Sequence, residues 1–209
     1  MQDAPSRNLV PSDPLGARRG RPRSEHLRRA ILDAARDLLV ANGYTRLRLE
    51  HVAARAGVGK ATIYRRWPTK DELALELLME LAAPHIAVIE TGDTRAELVA
   101  ATMNAIRALT ETSFGPVLRA LLAQIAMNPA LGDPFRATVV RARREEVARV
   151  VKRGVARGDL RPDADSTIAT ELLVGPVYFR LIFGGKLNRA FAEAVVESFL
   201  SGFAAPSRA

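Results

Sequence analysis

The chain has 209 residues, 48% of them hydrophobic and 26% charged, and no cysteine. That is enough for one large domain or two small ones, and it excludes disulfides and cysteine-based zinc or redox sites. The formal net charge of +8 is uneven: residues 1–70 hold 15 Lys/Arg against 6 Asp/Glu, and residues 71–209 hold 16 against 17. A basic head on a neutral body points to a polyanion partner, with a solvated basic surface as the plain alternative.

Residues 1–23, MQDAPSRNLVPSDPLGARRGRPR, are rich in Pro, Gly and Ser and have no apolar period. They read as a flexible arm with a basic end. From Ser24 the spacing of Leu27, Ile31, Ala34, Ala35, Leu38 and Leu39 predicts a half-buried helix that ends at Asn42-Gly43. A short second helix follows over about 49–56, with Val52, Ala53 and Ala56 inward. Gly57 supplies a turn with φ > 0, Val58 plugs the corner, and a third helix runs from Gly59 or Lys60 to Trp67.

Thr69 and Glu72 have capping-box spacing, so a fourth helix starts near Lys70; Thr94 and Glu97 repeat the signal for a fifth over about 95–112. Pro116 suits the first turn of a sixth, closed by Asn128-Pro129. Asp133-Pro134 then opens a long seventh, an eighth covers about 164–183 with Gly175-Pro176 predicted to kink it, and a ninth covers about 188–203. No segment pairs β-branched alternation with hairpin turns. The expected fold is all-α, with about nine helices in three parts: the arm 1–23, a head 24–69 and a helical body 70–209.

Two short helices joined by a glycine turn make a helix-turn-helix. Ile63 and Trp67 share the inner face of the third helix, which leaves Lys60, Ala61, Thr62, Tyr64 and Arg65 outside. In a major groove, Lys donates to guanine O6 and N7 and Ala touches a thymine methyl, while Thr62, Tyr64 and Lys70 suit phosphates. For Tyr64 and Trp67 the alternative is plain core packing, and it is the reading adopted for Trp67.

The stretches AILDAARDLLVANGY and VAARAGVGKATIYRRWPTKDEL, with the series Tyr64, Trp67 and Lys70, resemble the TetR family of bacterial transcriptional regulators over about 50 residues, Leu27 to Leu78. The resemblance implies a DNA-binding head of three helices and a body that binds a small-molecule effector and dimerises through its last two helices. It places Lys60, Ala61, Thr62, Tyr64, Arg65 and Lys70 at DNA-contact positions. Two residues depart from the family pattern. Arg48 stands where Thr or Ser caps the second helix, at a cost of about 1 kcal/mol, and is assigned instead to a phosphate. Gly59 stands where Ser or Thr often caps the third.

The run RRGRPR, with Arg21 and Arg23, resembles the core of an AT-hook and fits a narrow minor groove; an unordered basic tail is the equal alternative. The family's effector cavity lies between the fourth and eighth helices. The residues expected there are Met103, Phe114, Leu118, Leu122, Gln124, Met127, Tyr178, Phe179 and Phe183, each with core packing as its alternative. Gln124 is the polar member of the apolar run LLAQIAM and needs a partner. The run Arg141, Arg143, Arg144, Arg149, Lys152 and Arg153 reads as a solvated face. A wide apolar stripe on the ninth helix assigns Phe191, Val195, Phe199 and Phe203 to a dimer interface, with folding back onto its own body as the alternative.

The function expected is a ligand-responsive transcriptional regulator. It is a repressor that binds a palindromic operator as a homodimer and is released by a small, largely apolar effector; an architectural DNA-binding protein without a ligand is the alternative. The absence of an 18-residue apolar run and of an apolar N-terminal segment predicts a cytoplasmic protein, nucleoid-associated on DNA, with no membrane partner. His26, His51 and His85 are scattered, and no phosphate loop or nucleophile elbow occurs, so no metal, cofactor or enzymatic activity is expected.

Overall fold

The computed structural model describes residues 21–203, with side chains from Ser24. These residues form an all-helical fold, and no strand occurs among them. Helix α1 spans Arg21–Arg46. It starts three residues before the predicted Ser24, so Arg21 to Arg23, assigned to an extended arm, are helical backbone. Pro22 tolerates this because a first-turn residue needs no N–H bond. Residues 1–20 lie outside the described part. Gly43, at φ 73° and ψ 171°, ends the regular helix where Asn42-Gly43 predicts it.

Helix α2, Leu49–Arg55, packs on α1, and α3, Lys60–Arg66, packs on α2. The turn between them is a Schellman cap: the Val58 N–H donates to the Ala53 carbonyl at 2.9 Å and the Gly57 N–H to Ala54 at 3.2 Å. Gly57 takes φ 67°, which a Cβ would disfavour. Val52, Ala53, Ile63 and Trp67 are buried against Ile31, Ala35 and Leu39 of α1. Helix α4, Lys70–Ala82, follows after Pro68 and Thr69. The Thr69 hydroxyl accepts from the Glu72 N–H at 3.2 Å, as the capping spacing predicts. A 3-10 turn, Ala83–His85, ends it.

Helix α5 spans Thr94–Thr110, and here the predicted cap is wrong. Asp93 is the cap, accepting from the Ala96 N–H at 3.0 Å. Thr94 and Glu97 are buried instead. The Glu97 carboxylate accepts from the N–H groups of Thr91 and Gly92, each at 3.0 Å, and from Arg153 at 2.6 Å. Arg153 is therefore an anchor between helices and not part of a solvated face.

Helix α6, Phe114–Met127, is followed by a continuous helix α7 over 129–157. Asn128 caps α7, accepting from the Ala130 N–H at 3.1 Å. The predicted start at Asp133-Pro134 falls inside it. Pro134 has no N–H to give, and the ladder slips into a π turn, Arg136–Val140, before Arg141–Arg157 resumes α-geometry.

Helix α8, Ser166–Phe183, is capped by Asp165, and α9, Arg189–Phe203, by Asn188. Helix α8 runs unbroken through Pro176. Its mean hydropathy of 1.3 makes it the one described helix long and apolar enough to cross a membrane. That apolarity has a use in the fold: Leu173, Val174 and Val177 are buried against the body, while Ile168, Leu172, Phe179, Ile182 and Phe183 are exposed.

One apolar cluster joins the head to α4, α6 and the start of α7; a second joins α5, α7, α8 and α9. Phe199 belongs to the second and is 2% exposed. It packs inside its own protomer, stacked on Phe203 with ring centroids 4.8 Å apart, so its assignment to a dimer face is corrected. Phe191 is half-buried beneath the Arg180 guanidinium, and Val195 and Phe203 lean into the core. The bulky part of the free apolar surface is on α8, and α9 contributes a face of small residues, Ala190, Ala194, Ser198 and Ser201.

Candidate nucleic-acid interface and body cavity

Seven residues make α3, so its orientation is set by what it buries. Ile63 and Trp67 turn inward, and Lys60, Ala61, Tyr64 and Arg65 turn to solvent. Thr62, expected outside, is half-buried at the rim of a cleft shared with Ser24, Leu27 and Arg28. Neither Arg48 nor Gly59 provides a side-chain cap, in line with the expected loss at both starts. Arg48 is exposed.

The charges on this face divide into committed and free. Arg55 pairs with Asp37 at 2.8 Å and Arg66 with Glu76 at 3.5 Å. Arg48, Lys60 and Arg65 form no ion pair among the described residues. The Tyr64 hydroxyl donates to Glu50 at 2.7 Å. That bond raises the Tyr64 pKa and lowers that of Glu50, so the phenol stays protonated. Lys70 is half-buried; its ammonium donates to the Tyr44 carbonyl at 3.2 Å and lies 4.1 Å from the centre of the Tyr44 ring. The side chains of Arg21 and Arg23 lie outside the described part.

In the body, a cavity of about 210 Å³ is lined by Ala82 at the end of α4, Ala108, Phe114, Val139 and Val140, then Arg143, Arg144, Thr170, Glu171, Val174, Gly175 and Tyr178. Of the nine residues expected to line it, Phe114 and Tyr178 do. Leu118 is fully buried core; Met103 and Leu122 pack against the apolar clusters. Gln124 is half-buried away from the cavity, and Met127, Phe179 and Phe183 are exposed. The reason is rotational: on α8 the wall residues are 170, 171, 174, 175 and 178, one face of the helix, while Phe179 and Phe183 sit on the next.

Sequence reasoning missed the α7 wall because its arginine run looked like a solvent face. Arg143 instead reaches inward. Its Nη1 is buried and has no hydrogen-bond partner among the described residues. Burial lowers its pKa, an effect partly opposed by Tyr178 and Glu146. Burial raises the pKa of Tyr178, against the pull of Arg143. Arg144 and Glu171 pair with each other at 3.0 Å. No cluster of three or more metal-ligating side chains occurs among the described residues.

A helix-turn-helix with an outward basic helix, set on an all-helical body with its own cavity, defines a DNA-binding transcriptional regulator of the kind that couples a reading head to a second domain. Two family descriptions match: bacterial regulatory proteins of the tetR family over residues 31–77, and the tetracyclin repressor-like C-terminal domain over residues 88–199. The chain is 30% identical to the uncharacterized HTH-type transcriptional regulator YdeS of Bacillus subtilis, covering 92% of this chain and 98% of that one. It is 31% identical to the DNA-binding transcriptional repressor TetR of Mycobacteroides abscessus, covering 85% and 94%. The solved structure of the TetR family transcription regulator SCO0332 superposes with a TM-score of 0.67 at 32% identity, covering 85% and 98%. The chain belongs to the TetR family.

Proposed function

We propose that this regulator is a repressor that binds a palindromic operator as a homodimer and is released by a small molecule held in the body cavity. The observation that carries the reading is the outer face of α3, where Lys60 and Arg65 are exposed and unpaired among the described residues, as is Arg48 at the start of α2. Cations left free beside a small residue, Ala61, suit a helix that enters a major groove. On DNA, Tyr64 exchanges Glu50 for a phosphate oxygen and Lys70 anchors the start of α4. A relative at 31% identity is named a repressor, which supports the direction of control.

The dimer forms on the exposed stripe of α8, with the small residues of α9 allowing close approach. Coupling runs along α4. Its first residue follows the head with only Pro68 and Thr69 between, and Ala82, about 18 Å away at 1.5 Å per residue, is a wall of the cavity. A ligand that pushes this end swings the head with little slack. Its effect equals its differential affinity for the two head spacings, typically about 1–3 kcal/mol.

Binding selection on random duplexes, followed by footprinting, tests the reading. The expected product is a short palindrome with half-site centres about 34–36 Å apart or a multiple of that. Uniform coverage without a preferred site contradicts it and favours the architectural alternative.

A further inference from the structure

We propose that the cavity takes a compact ring-bearing carboxylate, with the anionic group on Arg143 and Tyr178; this rests on reading the cavity as the effector site. The guanidinium of Arg143 lines the cavity, and its Nη1 is buried with no partner among the described residues. Arg143 is half-buried, but a guanidinium N–H shut off from water without a partner is costly, and a carboxylate is its natural complement, since it accepts short charge-assisted bonds.

The protein's own acids near the cavity are already engaged. Glu171 pairs with Arg144 at 3.0 Å, and Glu146 accepts from the Val88 N–H at 2.7 Å and pairs with Arg149. Tyr178, a neutral phenol on the α8 wall, supplements the Arg143 cation of the α7 wall with an O–H donor. Thr170 donates its hydroxyl proton to the Ser166 carbonyl at 2.9 Å, and the remainder is apolar: Ala82, Ala108, Phe114, Val139, Val140, Val174 and Gly175. Size sets the other limit. An apolar cavity of about 150 Å³ holds benzene, so about 210 Å³ holds one ring and a small substituent.

Calorimetry on the full-length protein with benzoate and phenylacetate, and with benzamide and phenylacetamide as neutral counterparts, tests the proposal. The acids are expected to bind at least tenfold more tightly than the amides. Arg143→Met should erase that preference while the amides bind as before, and Arg143→Lys should restore part of it. Tyr178→Phe should weaken the acids severalfold and provides a second probe if Arg143→Met does not fold. Without ligand, Arg143→Met should melt no lower than the parent. A marked fall in melting temperature would mean that Arg143 is satisfied within the fold, and would overturn the proposal. So would amides that bind as well as acids, or acids that fail to bind.

Operator affinity separates the two readings. Acids that bind at Arg143 without releasing operator keep this proposal and remove the effector role. A neutral compound that releases operator while the acids do not bind keeps the effector role and removes this proposal.

Discussion

The indole N–H of Trp67 donates to the carboxylate of Glu76 at 2.7 Å, tying the residue that ends α3 to the middle of α4. Arg28 of α1 donates to the same carboxylate at 2.9 Å and pairs with Glu80 at 2.5 Å. Three helices of the head and its connector thus meet at one acid. Tyr44 and Asn128 both donate to Asp71 at the start of α4, a second tie of the same kind. On the proposed mechanism, these ties are the route by which a displacement of α4 would reach α3.

Glu76→Ala should therefore lower stability by about 1–3 kcal/mol, because it leaves the buried indole N–H without its acceptor and removes one of the three acids on Arg28, which keeps Glu25 and Glu80. It should also weaken the response of operator binding to effector. Urea denaturation checks the first effect. A loss under about 0.5 kcal/mol, the range of neutral surface changes, would show that Glu76 is an ordinary exposed acid.

Gly57→Ala should cost about 1–2 kcal/mol through its φ of 67°. A Cβ there meets nothing within 4 Å, so the penalty is one of backbone and not of packing. Gly57→Asn should recover part of it, since Asn tolerates this region. Equal melting temperatures for the glycine and alanine forms would contradict the assigned turn.

Phe179→Asp should give a folded monomer that no longer holds operator, because Phe179 is 62% exposed on the free α8 stripe. Phe199→Asp should unfold the protomer itself, since its ring is 2% exposed within the body. Light scattering and circular dichroism on the two variants distinguish these outcomes. A dimeric Phe179→Asp protein would move the interface elsewhere.

Glu97 sets an acid limb on stability. Burial raises its pKa, but Arg153 and the Thr91 and Gly92 N–H groups outweigh burial, so the net shift is downward from the ordinary 4.5. A lowered folded-state pKa means stability that is complete above the unfolded value and is lost as pH falls from about 4.5 through the folded value. Glu97→Gln should be less stable at pH 7 and should flatten this limb. Denaturation midpoints between pH 7 and pH 3 measure both; parallel curves for the two proteins would contradict the assignment.

The head was legible in the sequence because its signals are local. Gly57, the period of α1 and the Thr69–Glu72 spacing each act within one turn of chain. The body was less so. Asp133-Pro134 carries the same start signal as Asn128-Pro129, and only packing across helices makes Pro134 an interior residue. Thr94 and Glu97 have cap spacing, yet Thr94 donates to Asp159 and Glu97 accepts from Arg153, each more than 50 residues away. Arg143 and Arg144 are neighbours in a charged run, and Arg143 is half-buried with its Nη1 shut off from water while Arg144 is exposed. No periodicity distinguishes Phe199, which is core, from Phe179, which is free.

The most direct measurement compares the parent protein and Lys60→Ala on the selected operator, on each of its single-base variants and on random duplex. If α3 reads base edges, the variant should lose about 1–3 kcal/mol on the operator and become indifferent to the base at one position per half-site, while its affinity for random duplex changes far less. An equal loss on operator, variants and random duplex would contradict the account, because Lys60 would then add charge and no sequence information.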